Sequence, residues 1–213
     1  MKKSIMGFIV AVTLVLSGCS SDSTIETQLS AIITKMNNAE QAYKDAQVEL
    51  IELEKSEQKL FNQTMELTQQ QFGELKINVA ELEELLEQRL LHIEGEEKSI
   101  SKANKSVKEL DAIIEQADGT VGKDIEELKG AVTNRYEFHS AFVVEYKKLT
   151  SLQKELYGML IAEEVELKEL KDKVGEVNEQ NELVHTAVIS FNDATVKVNV
   201  LKDDTFIDLQ IEE

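Results

Sequence analysis

The sequence contains no proline and no tryptophan, and only one of its 213 residues is cysteine. A single cysteine excludes an intramolecular disulfide. Glycine is also scarce, with nine residues, whereas 30% of the residues are charged. A proline-free chain in which charged residues alternate with Leu, Ile and Val is typical of long helices. Its length suits one domain, or two small ones at most.

The N-terminus has the pattern of an export signal. Lys2 and Lys3 precede an apolar run of twelve residues, Ile5 to Leu16. That run is shorter than the roughly 20 apolar residues that span a bilayer, and it fits the core of a signal peptide. The sequence then reads Leu-Ser-Gly-Cys at 16–19, a lipobox pattern that predicts cleavage before Cys19 and a diacylglycerol on its thiol. The alternative is a plain secretory signal followed by a chance cysteine.

The charge of the chain is strongly negative. Removing residues 1–18 takes away two lysines and no acid, which leaves 21 basic against 41 acidic residues and a net charge of −20. Such a surface repels nucleic acid, anionic lipid and other polyanions. We therefore predict no nucleic-acid partner. The charge also favours a folded part that stands away from its own membrane.

Four apolar stripes with alternating spacings of three and four residues follow the signal. They cover 25–67, 72–117, 121–160 with a weaker continuation to 174, and, less regularly, 177–201. This spacing keeps one apolar face against partner helices, as in coiled coils. Turns are predicted at Gln69–Gly73, at Asp118–Gly122 and at Asp172–Gly175, where glycines fall or the stripe changes phase. A bundle of three long helices, in which the third helix runs through Gly175, is the alternative.

These elements predict an all-α, elongated, antiparallel up-and-down bundle with coiled-coil packing. We expect a signal peptide at 1–18, a lipidated tether at 19–24, the helical bundle at 25–207 and a loose C-terminus at 208–213. Helices of about 45 residues would make a rod roughly 65–70 Å long.

Few residues suggest chemistry. His92 and Glu96 lie four apart and share a helix face, but a zinc site needs three or four ligands, and a solvated surface is the simpler interpretation. His139 falls on the third stripe and is interpreted as a core residue. The sequence has no phosphate loop and no nucleophile elbow. We predict a protein that is not an enzyme and that has no metal, no cofactor beyond the acyl chains on Cys19 and no small-molecule substrate.

The two arginines are more informative. The chain has 21 lysines but only Arg89 and Arg135, and both fall on predicted core stripes. The planar guanidinium suits a partly buried carboxylate partner, so each is expected to be at least half buried and paired across helices. Such pairs fix helix register. The alternative is that one of them binds a ligand carboxylate between helices.

Several segments together resemble the YkyA-like family of cell-wall-binding lipoproteins of Firmicutes. They are the 16–19 lipobox, 53–61, Arg89 with 96–100, Arg135 and Tyr136 with Tyr146, 156–160, and 177–178 with Phe191 and Asn192. The sequence departs from the family pattern at Phe61, where a tyrosine is usual, and it lacks an aromatic-rich C-terminal end. The resemblance implies a helical-bundle lipoprotein of the cell envelope and carries over no catalytic residues.

Two functions follow as expectations. The first is a scaffold or interaction module on the outer face of the cytoplasmic membrane that docks an envelope protein or a wall component. The second is direct binding of wall polymer, either peptidoglycan or a teichoic polymer bridged by cations. The turns far from the tether are the expected contact surface, with Gln70, Phe72 and Lys173 as candidate residues.

Overall fold

The structure is a computed structural model that describes residues 24–211. Its chain forms four antiparallel arms. The first consists of α1 and α2, the second of α3, a short 3₁₀ turn and α4, the third of α5 and the fourth of α6. Their bounds are α1 Ile25–Ala39, α2 Gln41–Met65, α3 Phe72–Asn104, the 3₁₀ turn Val107–Glu109, α4 Leu110–Ile114, α5 Gly119–Ile161 and α6 Leu167–Ile211. The up-and-down bundle of four arms is therefore confirmed, and the three-helix alternative is wrong.

The first arm is interrupted at Glu40 by a side chain from the second arm. The hydroxyl of Ser99 donates to the Ala39 carbonyl at 2.7 Å and accepts from the Tyr43 amide at 3.1 Å. In an unbroken helix that amide would donate to that same carbonyl. A side chain inserted into the backbone ladder is a recognised cause of a helix kink. The inserted hydroxyl thus separates α1 from α2 while keeping both backbone groups bonded.

The first two turns lie close to where the glycines predicted them. The chain reverses between Met65 and Phe72, where a 3₁₀ turn spans Gln69–Gln71. It reverses again just before Gly119, whose φ of +61° belongs to the left-handed region that glycine adopts without strain. Gly122 lies inside α5, so the helix begins earlier than predicted.

The third turn was predicted wrongly. Residues 172–175 lie inside α6, and the chain reverses between Ile161 and Leu167 instead. That connection carries Glu163, Glu164 and Glu166. Carboxylates are unfavourable at the C-terminus of a helix and favourable at the N-terminus of the next, so this cluster suits a boundary. Gly175 costs a helix only about 1 kcal/mol relative to alanine, which a 45-residue helix with a packed face absorbs.

The C-terminus is also more ordered than predicted. α6 continues to Ile211, and Leu209 is buried in the apolar core region that also contains residues of α1, α4 and α5. The expected loose segment is therefore helical over 208–211, and its last two residues lie outside the described part of the chain. Within residues 24–211, no helix is long and apolar enough to cross a membrane.

The core has two apolar regions separated by a buried polar belt. One region, near the start of α1, contains Leu29, Leu110 and Ile125, and the other, near the start of α3, contains Leu82, Leu86 and Ile93. The polar belt lies between them and consists of Glu40, Glu96, Ser99, Arg135, Tyr136 and His139. α5 packs along both α3 and α6, whereas α2 packs mainly along α3 and reaches α5 through side chains such as Glu57 and Phe61. Across the described residues, α2 and α6 stay more than 8 Å apart between Cα atoms, which leaves the bundle open on one side.

Candidate functional site: a cleft over the buried polar belt

The open side of the bundle forms a cleft of about 260 Å³. Residues of α5 line one side of the cleft, and the α1–α2 junction and α6 form its two walls. Its lining combines apolar side chains with residues of the polar belt, and most of its polar residues come from the α1–α2 break and from the middle of α6. The cleft exists because α1 and α2 pack along α3, whereas α6 packs along α5.

Arg135 and Glu40 form the central ion pair of the cleft. The two terminal nitrogens of Arg135 donate to the two Glu40 oxygens at 2.8 and 3.0 Å, and its Nε donates to the Thr195 hydroxyl at 2.9 Å. The Tyr136 hydroxyl also donates to Glu40, at 2.7 Å. Burial acts to lower the pKa of Arg135, but the Glu40 carboxylate raises it overall, so the guanidinium stays charged. This pair ties the first, third and fourth arms together at the height of the helix break.

Glu96 and His139 form the next pair of the belt. Nε2 of His139 lies 3.3 Å from a Glu96 oxygen, and the Gln47 amide donates to the other oxygen at 2.6 Å. Glu96 is fully buried, contrary to the interpretation of its face as solvated surface. Burial raises the pKa of the Glu96 carboxyl, although the hydrogen bonds from His139 and Gln47 oppose that shift.

Aromatic rings cover this polar belt on the cleft side. The Tyr43 and Phe191 rings meet edge to face with centroids 5.8 Å apart, and the His139 ring lies 5.5 Å from Phe191. The Arg135 guanidinium lies 4.9 Å from the Phe191 ring centroid, within reach of a cation–π contact. These rings form an aromatic floor of the cleft, with the charged groups of the polar belt directly beneath it.

Polar groups without protein partners line the walls of the cleft. Within residues 24–211, the half-buried amides of Asn37, Asn192 and Asn199 make no hydrogen bond to protein. Lys202 also lines the cleft and is only 8% exposed, with Nζ 3.1 Å from the neighbouring Asp203. Partly buried polar groups normally have partners, so the three amides are available to bind a ligand or ordered water, and the Lys202 ammonium has donors left beside its pair with Asp203.

A second ion pair lies closer to the α2–α3 turn and is closed to solvent. Arg89 is 3% exposed and donates to Glu57, to the Tyr146 hydroxyl at 2.7 Å and to Gln153 at 3.2 Å. The Tyr157 hydroxyl donates to the same Glu57 carboxylate. Burial acts to lower the pKa of Arg89, but Tyr146 and Glu57 raise it overall. Because all of these groups are bonded to each other, this cluster cross-links three arms and leaves no room for a ligand.

The structure thus places both predicted arginines inside the bundle, each against a carboxylate of the first arm. Only Arg135 borders an open cavity. Sequence reasoning missed the cleft residues Glu40, Asn192 and Asn199. Glu40 lies between Ala39 and Tyr43, which belong to the first stripe. Nothing in the local pattern shows that the Glu40 side chain points inward at a helix break.

The predicted contact residues near the far turns fall into two groups. Gln70 is exposed in the 3₁₀ turn, and Phe72 is 39% exposed at the start of α3 with the Lys76 ammonium 4.7 Å from its ring centroid. Lys173 lies on α6 outside any turn and is paired with Glu155 at 2.7 Å and Glu176 at 2.6 Å, so its predicted position at the tip is wrong. Cys19 lies outside the described residues.

No metal site was predicted, and within residues 24–211 no three His, Cys, Asp or Glu side chains group in a way that could hold an ion. His92 does not join Glu96 in a common site, because Glu96 points into the bundle toward His139.

We expect the buried Glu96 carboxyl to make stability fall as pH rises. Its folded-state pKa is raised, so the folded protein binds a proton that the unfolded chain has already lost. Stability from this group is complete below the ordinary pKa of a glutamate and is lost as pH rises through the raised pKa. Urea unfolding measured from pH 4 to 8 should therefore show a smaller decline with pH for Glu96→Gln than for the wild type.

The matched control for that experiment is Glu81→Gln, an exposed position on the same helix. It should leave the pH dependence of unfolding unchanged. Identical pH profiles for Glu96→Gln and the wild type would contradict a raised pKa of Glu96 in the folded protein.

Comparison with known proteins agrees with the helical architecture. A family model described as “Putative cell-wall binding lipoprotein”, YkyA, matches residues 24–206. The “Uncharacterized lipoprotein YkyA” of Bacillus subtilis strain 168 is 26% identical over 205 residues, covering 94% of this chain and 90% of that protein.

A crystal structure of a conserved protein of unknown function from Staphylococcus aureus has the same fold. It superposes with a TM-score of 0.73 at 20% identity, over 86% of this chain and 92% of that one. The family model spans the region that forms all four arms, including both arginine clusters and the cleft. The chain therefore belongs to the YkyA family.

Proposed function

We propose that the protein is an extracytoplasmic envelope module that is anchored by acyl chains on Cys19 to the outer face of the cytoplasmic membrane and contacts the cell wall. The geometry of the bundle is the observation that carries this proposal. α1 begins at Ile25, and the five-residue step from Cys19 to Thr24 reaches at most ~18 Å when extended. The start of α1 is therefore held near the membrane.

With such an anchor, the opposite end of the bundle would lie far from the membrane. The α2–α3 and α5–α6 turns lie at that end, whereas the turn before α5 and the end of α6 share the end where α1 begins. A helix of 43 residues such as α5 is about 65 Å long. The net charge of −20 repels an anionic membrane and favours an upright rod. The name of the family supports the wall as the partner.

We propose a binding role rather than a catalytic one. The charged groups under the cleft are already bonded to each other, as in the pairs Arg135–Glu40 and His139–Glu96. A catalytic acid, base or nucleophile must instead reach a substrate atom. Within residues 24–211, the groups that face the cleft without a partner are three amides and the Lys44 ammonium, which can bind and orient a ligand.

The cleft favours direct binding of wall polymer over docking of another envelope protein. A scaffold that docks another envelope protein through its surface needs no cleft, whereas this bundle keeps one open. Teichoic polymers are polyanions, and the acidic surface would repel them unless divalent cations bridged the two. Peptidoglycan needs no such bridge.

A pull-down with purified wall sacculi tests the proposal. We expect the chain from Ser20 onward, which contains every described residue, to sediment with sacculi in the presence and in the absence of EDTA. Sedimentation that EDTA abolishes would indicate a cation-bridged teichoic polymer instead. No sedimentation under either condition would contradict wall binding and favour a protein partner.

A separate crosslinking experiment on cells tests the orientation. A photo-crosslinker at Gln70, in the far turn, should capture wall material when the anchored protein is irradiated on cells, and one at Gly119 should not. Phe72 is the apolar residue presented beside Gln70. Capture at Gly119 alone would contradict the upright orientation.

A further inference from the structure

We propose that the cleft between the α1–α2 junction and α6 binds a short, carboxylate-bearing peptide. The proposal goes beyond wall contact by naming a ligand class and a site, and it rests on the proposed function only for the source of that peptide, the peptide part of the wall. Four features of the cleft carry it: its charge, its unpartnered amides, its aromatic floor and its length.

The charge of the cleft is opposite to that of the protein. Lys44, Arg135 and Lys202 line it together with the Glu40 carboxylate, and the Asp203 carboxylate beside the cleft pairs with Lys202, so one positive charge is in excess. The whole chain, by contrast, has 41 acidic and 23 basic residues. Within residues 24–211 the Lys44 ammonium makes no ion pair. A locally positive cleft in a strongly acidic protein selects an anion, and the negative surface around it disfavours a long polyanion. A small ligand with a few carboxylates satisfies both conditions.

The walls of the cleft present neutral amides to that ligand. Asn37 lies on one wall, and Asn192 and Asn199 lie seven residues, or two helical turns, apart on the other. Each amide has both donors and an acceptor, as each peptide group does. An acyl chain would leave these amides unbonded, whereas a peptide backbone between the walls can bond to all of them. The aromatic floor at Tyr43 and Phe191 suits an apolar side chain of the same ligand.

The positions of the three cations set the length of the ligand. Glu40, Arg135 and Thr195 lie at one height because they are bonded to each other. Lys44 is one turn beyond Glu40 on α2, and Lys202 is two turns beyond Thr195 on α6, which runs in the opposite direction. At 1.5 Å per residue, the two lysines are therefore about 16 Å apart along the bundle. An extended peptide covers that distance with about five residues.

Calorimetric titration of the chain from Ser20 onward tests the inference with three probes. They are peptides released from purified sacculi by an amidase, the glycan strands left by the same digestion, and a synthetic acidic pentapeptide of L-residues. We expect the wall peptides to bind and the glycan strands not to bind. Because the contacts are ionic in part, the affinity should fall as salt is raised.

Variants of the cleft should weaken that binding without unfolding the protein. Lys202→Gln and the double variant Asn192→Leu/Asn199→Leu are each expected to weaken it about tenfold or more, since a charge-assisted hydrogen bond or two neutral ones are lost. Lys197→Gln and Asn178→Leu are the matched controls, because both residues are exposed on α6 and do not line the cleft. Both controls should bind as the wild type does, and helical circular dichroism should be the same for all variants.

The outcomes separate this inference from the proposed function. Equal binding of wall peptides by the wild type and both cleft variants would place the site elsewhere. Binding of glycan strands but not of peptides would overturn the ligand class. If the wild type sediments with sacculi but binds no peptide, the inference fails and wall contact stands. If it binds only the synthetic peptide, in a way that requires Lys202, and does not sediment with sacculi, the cleft stands and wall contact fails.

Discussion

Replacing Arg135 by methionine is expected to lower the free energy of unfolding by about 3–5 kcal/mol. The substitution leaves the buried Glu40 carboxylate without its cation. Within residues 24–211, the Tyr136 hydroxyl is then the hydrogen-bond donor that remains to it. An unpaired buried charge costs far more than the pair contributes. Arg89→Met should have an effect of the same size, since it leaves Glu57 buried with the Tyr157 hydroxyl. Urea unfolding at neutral pH followed by circular dichroism measures both.

A double variant separates the lost pair from a general loss of packing. Glu40→Gln combined with Arg135→Met removes both charges and keeps an oxygen that accepts from Tyr136. We expect it to recover most of the stability lost in Arg135→Met. Lys35→Met removes an exposed ion pair with Glu109 and should change stability little. Wild-type stability for both Arg135→Met and Arg89→Met would refute the structural role and favour ligand binding by Arg135, which borders the cleft.

Replacing Cys19 by alanine is expected to abolish membrane retention of the processed protein. Each methylene of an acyl chain contributes about 0.8 kcal/mol when it is buried in the bilayer, so two or three chains hold a protein of this size stably. Without the thiol no diacylglycerol can be attached, and the protein should either leave the cell or persist as a precursor that keeps residues 1–18. Cell fractionation with immunoblotting, together with the mass of the product, distinguishes these forms.

The matched control is Ser20→Ala, which changes the neighbouring residue and keeps the thiol. It should remain in the membrane fraction, as the wild type does. A Cys19→Ala protein that is cleaved after Gly18 and still retained in the membrane would contradict the anchor.

The extent to which the site was predictable differs between its residues. The inward positions of Arg89 and Arg135 followed from their place on apolar stripes, because a heptad pattern fixes which side of a helix faces its neighbours. Their partners did not follow, since Glu57 and Glu40 are 32 and 95 residues away in the chain. Its place on the stripe predicts that Glu96 points inward, whereas its spacing to His92 suggests a shared, solvated face. Only its contact with His139 decided between these two interpretations.

The sequence by itself determined the helices, the N-terminal lipobox pattern and the inward faces of the bundle, because each depends on residues a few positions apart. Only the tertiary structure decided where α5 ends, why α1 and α2 separate, and that the bundle is open beside α6. Ser99 separates α1 from α2 across a distance of about sixty residues. The third turn lies at the glutamates of 163–166 rather than at a glycine. The cleft itself arises because α2 packs along α3 and α6 packs along α5. Local periodicity does not encode which helices become neighbours.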